Sequence, residues 1–194
     1  ITAYRFFLLG QNTAARNIYE QLLARDPMDA DAWYGLGDAW YHDTEGRRDR
    51  HFTESLRAFR RTLALAPDYS LAYEHIQAML SEASRPITGM FLVTPDSFAS
   101  GSGVDSTVRV AATARARQAG VESARAWSTT QPGTGRAHLA MVDALLANRQ
   151  YPDAMAEVAR FRSADPTNPE MPFLQARVRF ASGEGPRAAA ELKS

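Results

Sequence analysis

Hydrophobic residues recur at three- and four-residue steps along most of the chain, and this spacing places them on one face of a helix. Trp33, Leu36 and Trp40 form such a face, and a second apolar face runs through Phe59. Pro67 cannot continue a helix, because proline has no amide hydrogen and its ring clashes with the preceding turn. The pattern therefore predicts two amphipathic helices, of which the second ends at Pro67.

The residue order in these two helices is more specific than their hydrophobic spacing. From Trp33 to Trp40 the chain follows the pattern W-x2-L-G-x2-aromatic, and Ser55 and Phe59 follow as small-x3-Phe. Gly37 lies on the apolar face, where the absence of a side chain lets the second helix come close. This order resembles the tetratricopeptide repeat, whose period is about 34 residues. The resemblance implies an all-α superhelix, or solenoid, built from paired helices.

Similar but weaker patterns on both sides of this unit indicate further repeats. We expect one solenoid domain over residues 1–194. Because both ends fall inside repeats without a polar cap, we expect a segment of a longer protein, or ends that pack on something else. The predicted units are a partial repeat at 1–29, a repeat at 30–69, a repeat with a long insertion at 70–134, a repeat at 135–168 and a partial repeat at 169–194.

The helical pattern stops between residues 85 and 104, where prolines and glycines flank an apolar run that includes Met90, Phe91 and Leu92. We predict a non-helical insertion here. An exposed apolar run would be a costly patch, so packing over an edge of the solenoid is the favoured interpretation. Entry into the groove as a built-in ligand, or contact with another chain, are the alternatives. A further alternative is that residues 70–134 form two degenerate repeats instead of one repeat with a long insertion.

The resemblance also implies a binding surface, because in this family the first helix of each repeat lines a concave groove for peptides or partner helices. In this chain the N-terminal part of the groove would be acidic and aromatic, and the C-terminal part would be basic and aromatic. Such a groove suits a ligand with a basic or amide-rich end. The alternative is a solvated helix face with incidental aromatic residues. The expected groove residues are Asp31, Tyr34, Asp38, Tyr41, Glu74, Arg136, Asp143, Phe173 and Arg177.

Composition narrows the partners that can be expected. Lys and Arg number 22 and Asp and Glu number 22, so no net positive charge draws the chain to nucleic acid. No apolar run is long enough to span a bilayer. The absence of cysteine excludes disulfides and thiol chemistry. We expect a protein or peptide partner, no nucleic acid and no membrane span, and the cellular compartment stays open.

Neither a metal site nor an active site is predicted. His42 and His51 bracket acidic residues, but they lie in a charged turn, and a metal site needs convergent ligands held by supporting hydrogen bonds. His75 and His138 lie on or beside packing faces and are interpreted as satisfied core or boundary residues. No phosphate-binding glycine loop, G-x-S-x-G or H-E-x-x-H motif occurs. We expect no enzyme activity and no cofactor.

Three functions are compatible with this pattern. The favoured one is a protein-interaction scaffold or adaptor that binds a peptide or partner helix on the concave face. The second is a regulatory segment of a larger bacterial signalling protein, a kinase or a cyclase, to whose repeat regions this sequence bears a resemblance. The third is a self-assembling structural subunit, in which the ends stack head to tail as heterologous contacts.

Overall fold

The computed structural model describes residues 2–43, 48–83 and 106–192, and all regular structure in these ranges is α-helical. The prediction of an all-α chain is confirmed. The predicted insertion, with Met90, Phe91 and Leu92, lies outside the described residues. The helices are α1 (Thr2–Leu8), α2 (Asn12–Arg25), α3 (Ala30–Tyr41), α4 (Arg48–Leu65), α5 (Ser70–Ala83), α6 (Ser106–Thr130), α7 (Gly135–Ala147), α8 (Tyr151–Ala164), α9 (Met171–Ala181) and α10 (Gly185–Glu191).

The helices belong to two compact units, Ile1–Ala116 and Arg117–Ser194, and the division falls within α6. In the first unit each helix from α1 to α5 packs against the next along the chain. In the second unit α7 packs against α8, α8 against α9, and α9 against α10. The expectation of one continuous domain stays a prediction. No helix among the described residues is long and apolar enough to cross a bilayer.

Helix α3 lies between α2 and α4, and glycine allows the close approach on both sides. A Cβ atom on Gly37 would lie 2.8 Å from the Phe59 ring of α4, and one on Gly35 would lie 2.3 Å from the Tyr19 ring of α2. The prediction that Gly37 faces the second helix of its unit is confirmed. Phe59 is completely buried, as its place in the pattern requires. The contact between Gly35 and Tyr19 was not predicted.

The start of α3 is fixed by a side-chain cap. The Asp29 carboxylate accepts a hydrogen bond from the Ala32 amide (2.9 Å), which satisfies one of the amides that a helix start leaves without a partner. The Trp33 indole is half-buried and donates to the Pro27 carbonyl (3.0 Å), whereas Trp40 is buried. These contacts fix the rotation of α3 and so determine which of its residues face outward.

The second unit is held by an apolar core and one buried polar contact. Its core includes Val142 of α7 and Val158 of α8. His138 is buried and stacks on the Phe161 ring, with 4.9 Å between ring centroids. Its Nδ1 lies 2.6 Å from Glu157 Oε1, and its Nε2 donates to the Pro132 carbonyl. The interpretation of His138 as a satisfied core residue is confirmed.

Candidate functional site

The outward residues of α3 form a surface that we call the α3 face, consisting of Asp31, Tyr34, Asp38 and Tyr41. Steps of three, four and three residues place these four side chains on one side of the helix. Asp31 is exposed, and the other three are partly buried because they contact residues of α5 and of the turn before it.

His75 of α5 lies against the middle of the α3 face. Its ring centroid is 5.7 Å from that of Tyr34 and 5.1 Å from that of Tyr41. Its Nε2 is 3.2 Å from Asp38 Oδ1. The ring also lies 4.9 Å from Phe59, so it extends from the buried core to the surface. The helices α3 and α5, which are the first helices of two successive predicted repeats, therefore bring aromatic rings and a carboxylate together at one place.

Tyr69 covers the beginning of the same face. Its hydroxyl donates to Asp31 Oδ1 (2.9 Å), and its ring stacks on Tyr34 with centroids 5.0 Å apart. Burial raises the pKa of both tyrosines, and for Tyr69 the hydrogen bond to Asp31 raises it further. Sequence reasoning did not find Tyr69, because it precedes α5 in a turn and reaches α3 only through the fold.

Glu74 adds a carboxylate to this surface from α5. It is partly buried, and its negative charge helps to raise the pKa of Tyr34, although burial of the tyrosine is the larger cause. The five groove residues predicted in the first unit are therefore brought together on two adjacent helices.

A second group on this surface was not predicted, and we call Asp38, His42 and His75 the Asp38 cluster. One ligand atom from each lies within 4.8 Å of those of the other two. Asp38 on α3 and His42, the residue that follows α3, are four residues apart, which was a signal in the sequence, but nothing local places His75 beside them. The prediction that His51 lies in the same charged turn as His42 was wrong, because His51 lies in α4, is buried and donates from Nδ1 to the Asp43 carbonyl (2.9 Å).

The four groove residues predicted in the second unit lie on α7 and α9. Asp143 and Arg177 form an ion pair at 2.7 Å. Burial raises the pKa of the Asp143 carboxyl above its ordinary value, and the Arg177 guanidinium offsets only part of this increase. Phe173 is 67% exposed and, with Arg177 and Leu139, lines an open depression of about 410 Å³. Arg136 is exposed on the first turn of α7 and is not among the residues that line it.

The family of the chain follows from its sequence as well as from its fold. The model of the tetratricopeptide repeat family matches residues 3–47 and 139–194, which together make up more than half of the chain. The chain therefore belongs to the tetratricopeptide repeat family. Membership supports a general role as a protein-interaction scaffold, because these repeats are generally non-catalytic interaction modules.

Several solved structures are similar to the chain. The crystal structure of MamA protein is 13% identical with a TM-score of 0.61, over 98% of this chain and 84% of that one. MamA AMB-1 is 16% identical with a TM-score of 0.56, over 99% and 92%. TTC0263, a thermophilic TPR protein in Thermus thermophilus, is 15% identical with a TM-score of 0.51, over 98% and 84%. At these identities the likeness shows the fold alone. Among curated proteins, none matches the chain significantly.

Proposed function

We propose that this chain is a protein-interaction module whose α3 face, together with Glu74 and His75 of α5, binds an extended peptide segment that carries a basic residue. The observation that supports this most is the concentration of rings and carboxylates from adjacent first helices on one surface. Tyr34 and Tyr41 each have a ring centroid within 6 Å of that of His75, and Asp38 lies between the two tyrosines on α3.

The chemistry of this surface favours a cationic ligand group. Asp31, Asp38 and Glu74 contribute negative charge, and the neighbouring tyrosine rings present faces that attract cations. An arginine or lysine side chain of the peptide would be attracted by both the carboxylates and the rings. Each contact of the cation with a ring contributes about 0.5–2 kcal/mol of binding free energy, depending on desolvation. A peptide rich in acidic residues would be repelled, which gives the surface a means of discriminating between partners.

Phe173 and Arg177 on the second unit form a separate surface of different character. An aromatic ring that is 67% exposed beside an open depression of about 410 Å³ is a typical anchoring point for an apolar side chain. We propose it as a second contact region for a partner, which the Phe173→Ala variant tests independently of the α3 face.

The test is selection of peptides from a displayed random library on the full 194-residue chain, in buffer that contains EDTA. We expect selected peptides to carry Arg or Lys, and to bind the Tyr41→Ala and Glu74→Gln variants at least about tenfold more weakly, since one lost contact of about 1.4 kcal/mol gives that factor. Glu20→Gln and Tyr151→Ala are matched controls on second helices and should bind as the wild type does.

Two outcomes would contradict the proposal. Peptides that bind both variants as tightly as the wild type would remove the α3 face as the binding surface. Selection of acidic peptides would refute the electrostatic part of the argument. Self-assembly, the alternative, predicts instead that the sedimentation coefficient of the chain rises with concentration. If the chain is a regulatory segment of a larger signalling protein, a partner domain should bind the same α3 face.

A further inference from the structure

The Asp38 cluster has an arrangement that peptide binding does not explain. Asp38 Oδ1 lies 3.3 Å from His42 Nε2 and 3.2 Å from His75 Nε2. The Asp38 carboxylate is only 15% exposed, and its Oδ1 accepts no well-aligned hydrogen bond from the described residues. A carboxylate oxygen that is removed from water and lacks a donor is costly unless a positive charge lies beside it.

The orientation of His75 makes this contact more specific. Its Nδ1 lies 2.9 Å from the Leu71 carbonyl, which can only accept, so Nδ1 must carry the hydrogen. In the neutral ring Nε2 then carries a lone pair, and this nitrogen lies 3.2 Å from Asp38 Oδ1 without the alignment of a hydrogen bond. A neutral imidazole nitrogen and a carboxylate oxygen repel at this distance unless the ring is protonated or a metal ion lies beside both atoms. A histidine held by a carbonyl through one nitrogen is the usual arrangement of a metal ligand.

The distances agree with the geometry of a metal ion. In a tetrahedral site with bonds of about 2.0–2.1 Å, neighbouring ligand atoms lie about 3.3 Å apart. Both distances from Asp38 Oδ1 already have this value. The two histidine nitrogens lie within 4.8 Å of each other, and His42 is an exposed residue at the end of α3 whose ring can turn to close the remaining gap.

We propose that Asp38, His42 and His75 bind one divalent transition-metal ion, with Zn²⁺ as the best-suited ion. Two imidazoles and one carboxylate are ligands of Zn²⁺, Fe²⁺ and related metals, whereas Mg²⁺ and Ca²⁺ require sites made of oxygen atoms. Three protein ligands leave a fourth position open, and the exposure of His42 gives the ion a path of entry. Binding would link α3 to α5 and neutralise the carboxylate at the middle of the α3 face.

The test uses the full chain without an affinity tag, freed of metal by chelation, with Zn²⁺ alone as the probe. Titration calorimetry should show one ion bound per chain. Asp38→Asn and His42→Gln should each weaken binding roughly tenfold or more. Glu20→Gln, an exposed carboxylate on α2, is the control and should bind Zn²⁺ as the wild type does. Mg²⁺ should give no heat of binding.

Two further measurements keep the result independent of folding. Thermal unfolding in EDTA should be similar for the His42→Gln variant and the wild type, because the His42 side chain is half-exposed, and added Zn²⁺ should raise the midpoint of the wild type more than that of the variant. With Co²⁺ as a probe, the visible absorption of a tetrahedral ion should appear in the wild type and disappear in the Asp38→Asn variant.

Zn²⁺ binding that is equal in the wild type and both ligand variants would overturn the proposal, and so would the absence of binding to the wild type. Neither result would affect the proposed function, because peptide selection is carried out in EDTA. Conversely, a failure to select peptides would leave the calorimetric test of the Asp38 cluster unchanged.

Discussion

Gly37 is the residue on which the packing of α3 against α4 depends most directly. The Phe59 ring occupies the space that a side chain at this position would need, 2.8 Å from where its Cβ would be, and the ring is completely buried. Unlike Tyr19 beside Gly35, which is only partly buried and meets that glycine with the outer end of its ring, Phe59 has no exposed direction in which to turn.

We therefore expect Gly37→Ala to lower the free energy of unfolding by about 1–2 kcal/mol, since overpacking costs about 1–3 kcal/mol and the better helix propensity of alanine returns up to about 1 kcal/mol. Urea denaturation measures this change. Gly120→Ala is the matched control, because nothing lies within 4 Å of a Cβ at that helical position, and it should be neutral or stabilising. Unchanged stability of Gly37→Ala would show that Phe59 can move.

Tyr69 should make the stability of the first unit depend on pH in the alkaline range. Burial and the hydrogen bond to Asp31 raise the pKa of its hydroxyl, and Tyr34 and Tyr19 lie near enough to contribute. The unfolded chain loses the proton near the ordinary pKa of about 10, while the folded chain retains it to a higher pH. Stability should therefore fall as pH rises above about 10.

We expect the Tyr69→Phe variant to lose less stability than the wild type between about pH 9 and pH 11, because it has no hydroxyl to ionise there. Urea denaturation at several pH values measures both slopes. Tyr151→Phe, on α8, is the control for the loss of a tyrosine hydroxyl outside the α3 face. Equal slopes for Tyr69→Phe and the wild type would contradict the assignment.

At the scale of the elements, α7 and α8 are joined by the buried contact between His138 and Glu157. The side chain of Glu157 also pairs with Arg160, whose own side chain is largely exposed. Removing one partner of a buried charged contact leaves the other without compensation, which typically costs about 3–5 kcal/mol. Replacing both by apolar residues removes the two desolvation penalties together.

We expect Glu157→Leu to destabilise the chain by about 3–5 kcal/mol, and the double variant His138→Leu/Glu157→Leu to be less destabilised than Glu157→Leu alone. Urea denaturation of the two single variants and the double variant gives the coupling energy. If the two single effects simply add, His138 and Glu157 do not depend on each other, and the contact has no special role in holding α7 to α8.

The helices could be predicted from the sequence, whereas much of the candidate site could not. The helices and the close approach of α4 at Gly37 follow from a pattern within one pair of helices, and both were predicted, whereas the contact of Gly37 with the Phe59 ring is known only from the structure. The position of His75 depends on how α5 is rotated and packed on α3, which no local pattern encodes. Likewise, Tyr69 reaches Asp31 only because the turn after α4 folds back over α3.

At the scale of the whole molecule, the two units present different surfaces. The first carries rings and carboxylates on α3 and α5, and the second carries an exposed phenylalanine beside an ion pair. With 22 basic and 22 acidic residues the net charge is zero, so long-range attraction contributes little and specificity has to arise from local contacts. We expect peptide binding to depend on which side chains a partner brings to each surface.

The most direct test of the central claim is to map a selected peptide on the isotope-labelled 194-residue chain by the amide chemical shifts that it changes, in EDTA. The account predicts that the largest changes occur on α3 and α5, around Tyr41 and Glu74, and that they are lost in the Tyr41→Ala variant. Changes that are confined to the second helices α2 and α4 would contradict it, because the α3 face would then not be the surface that binds.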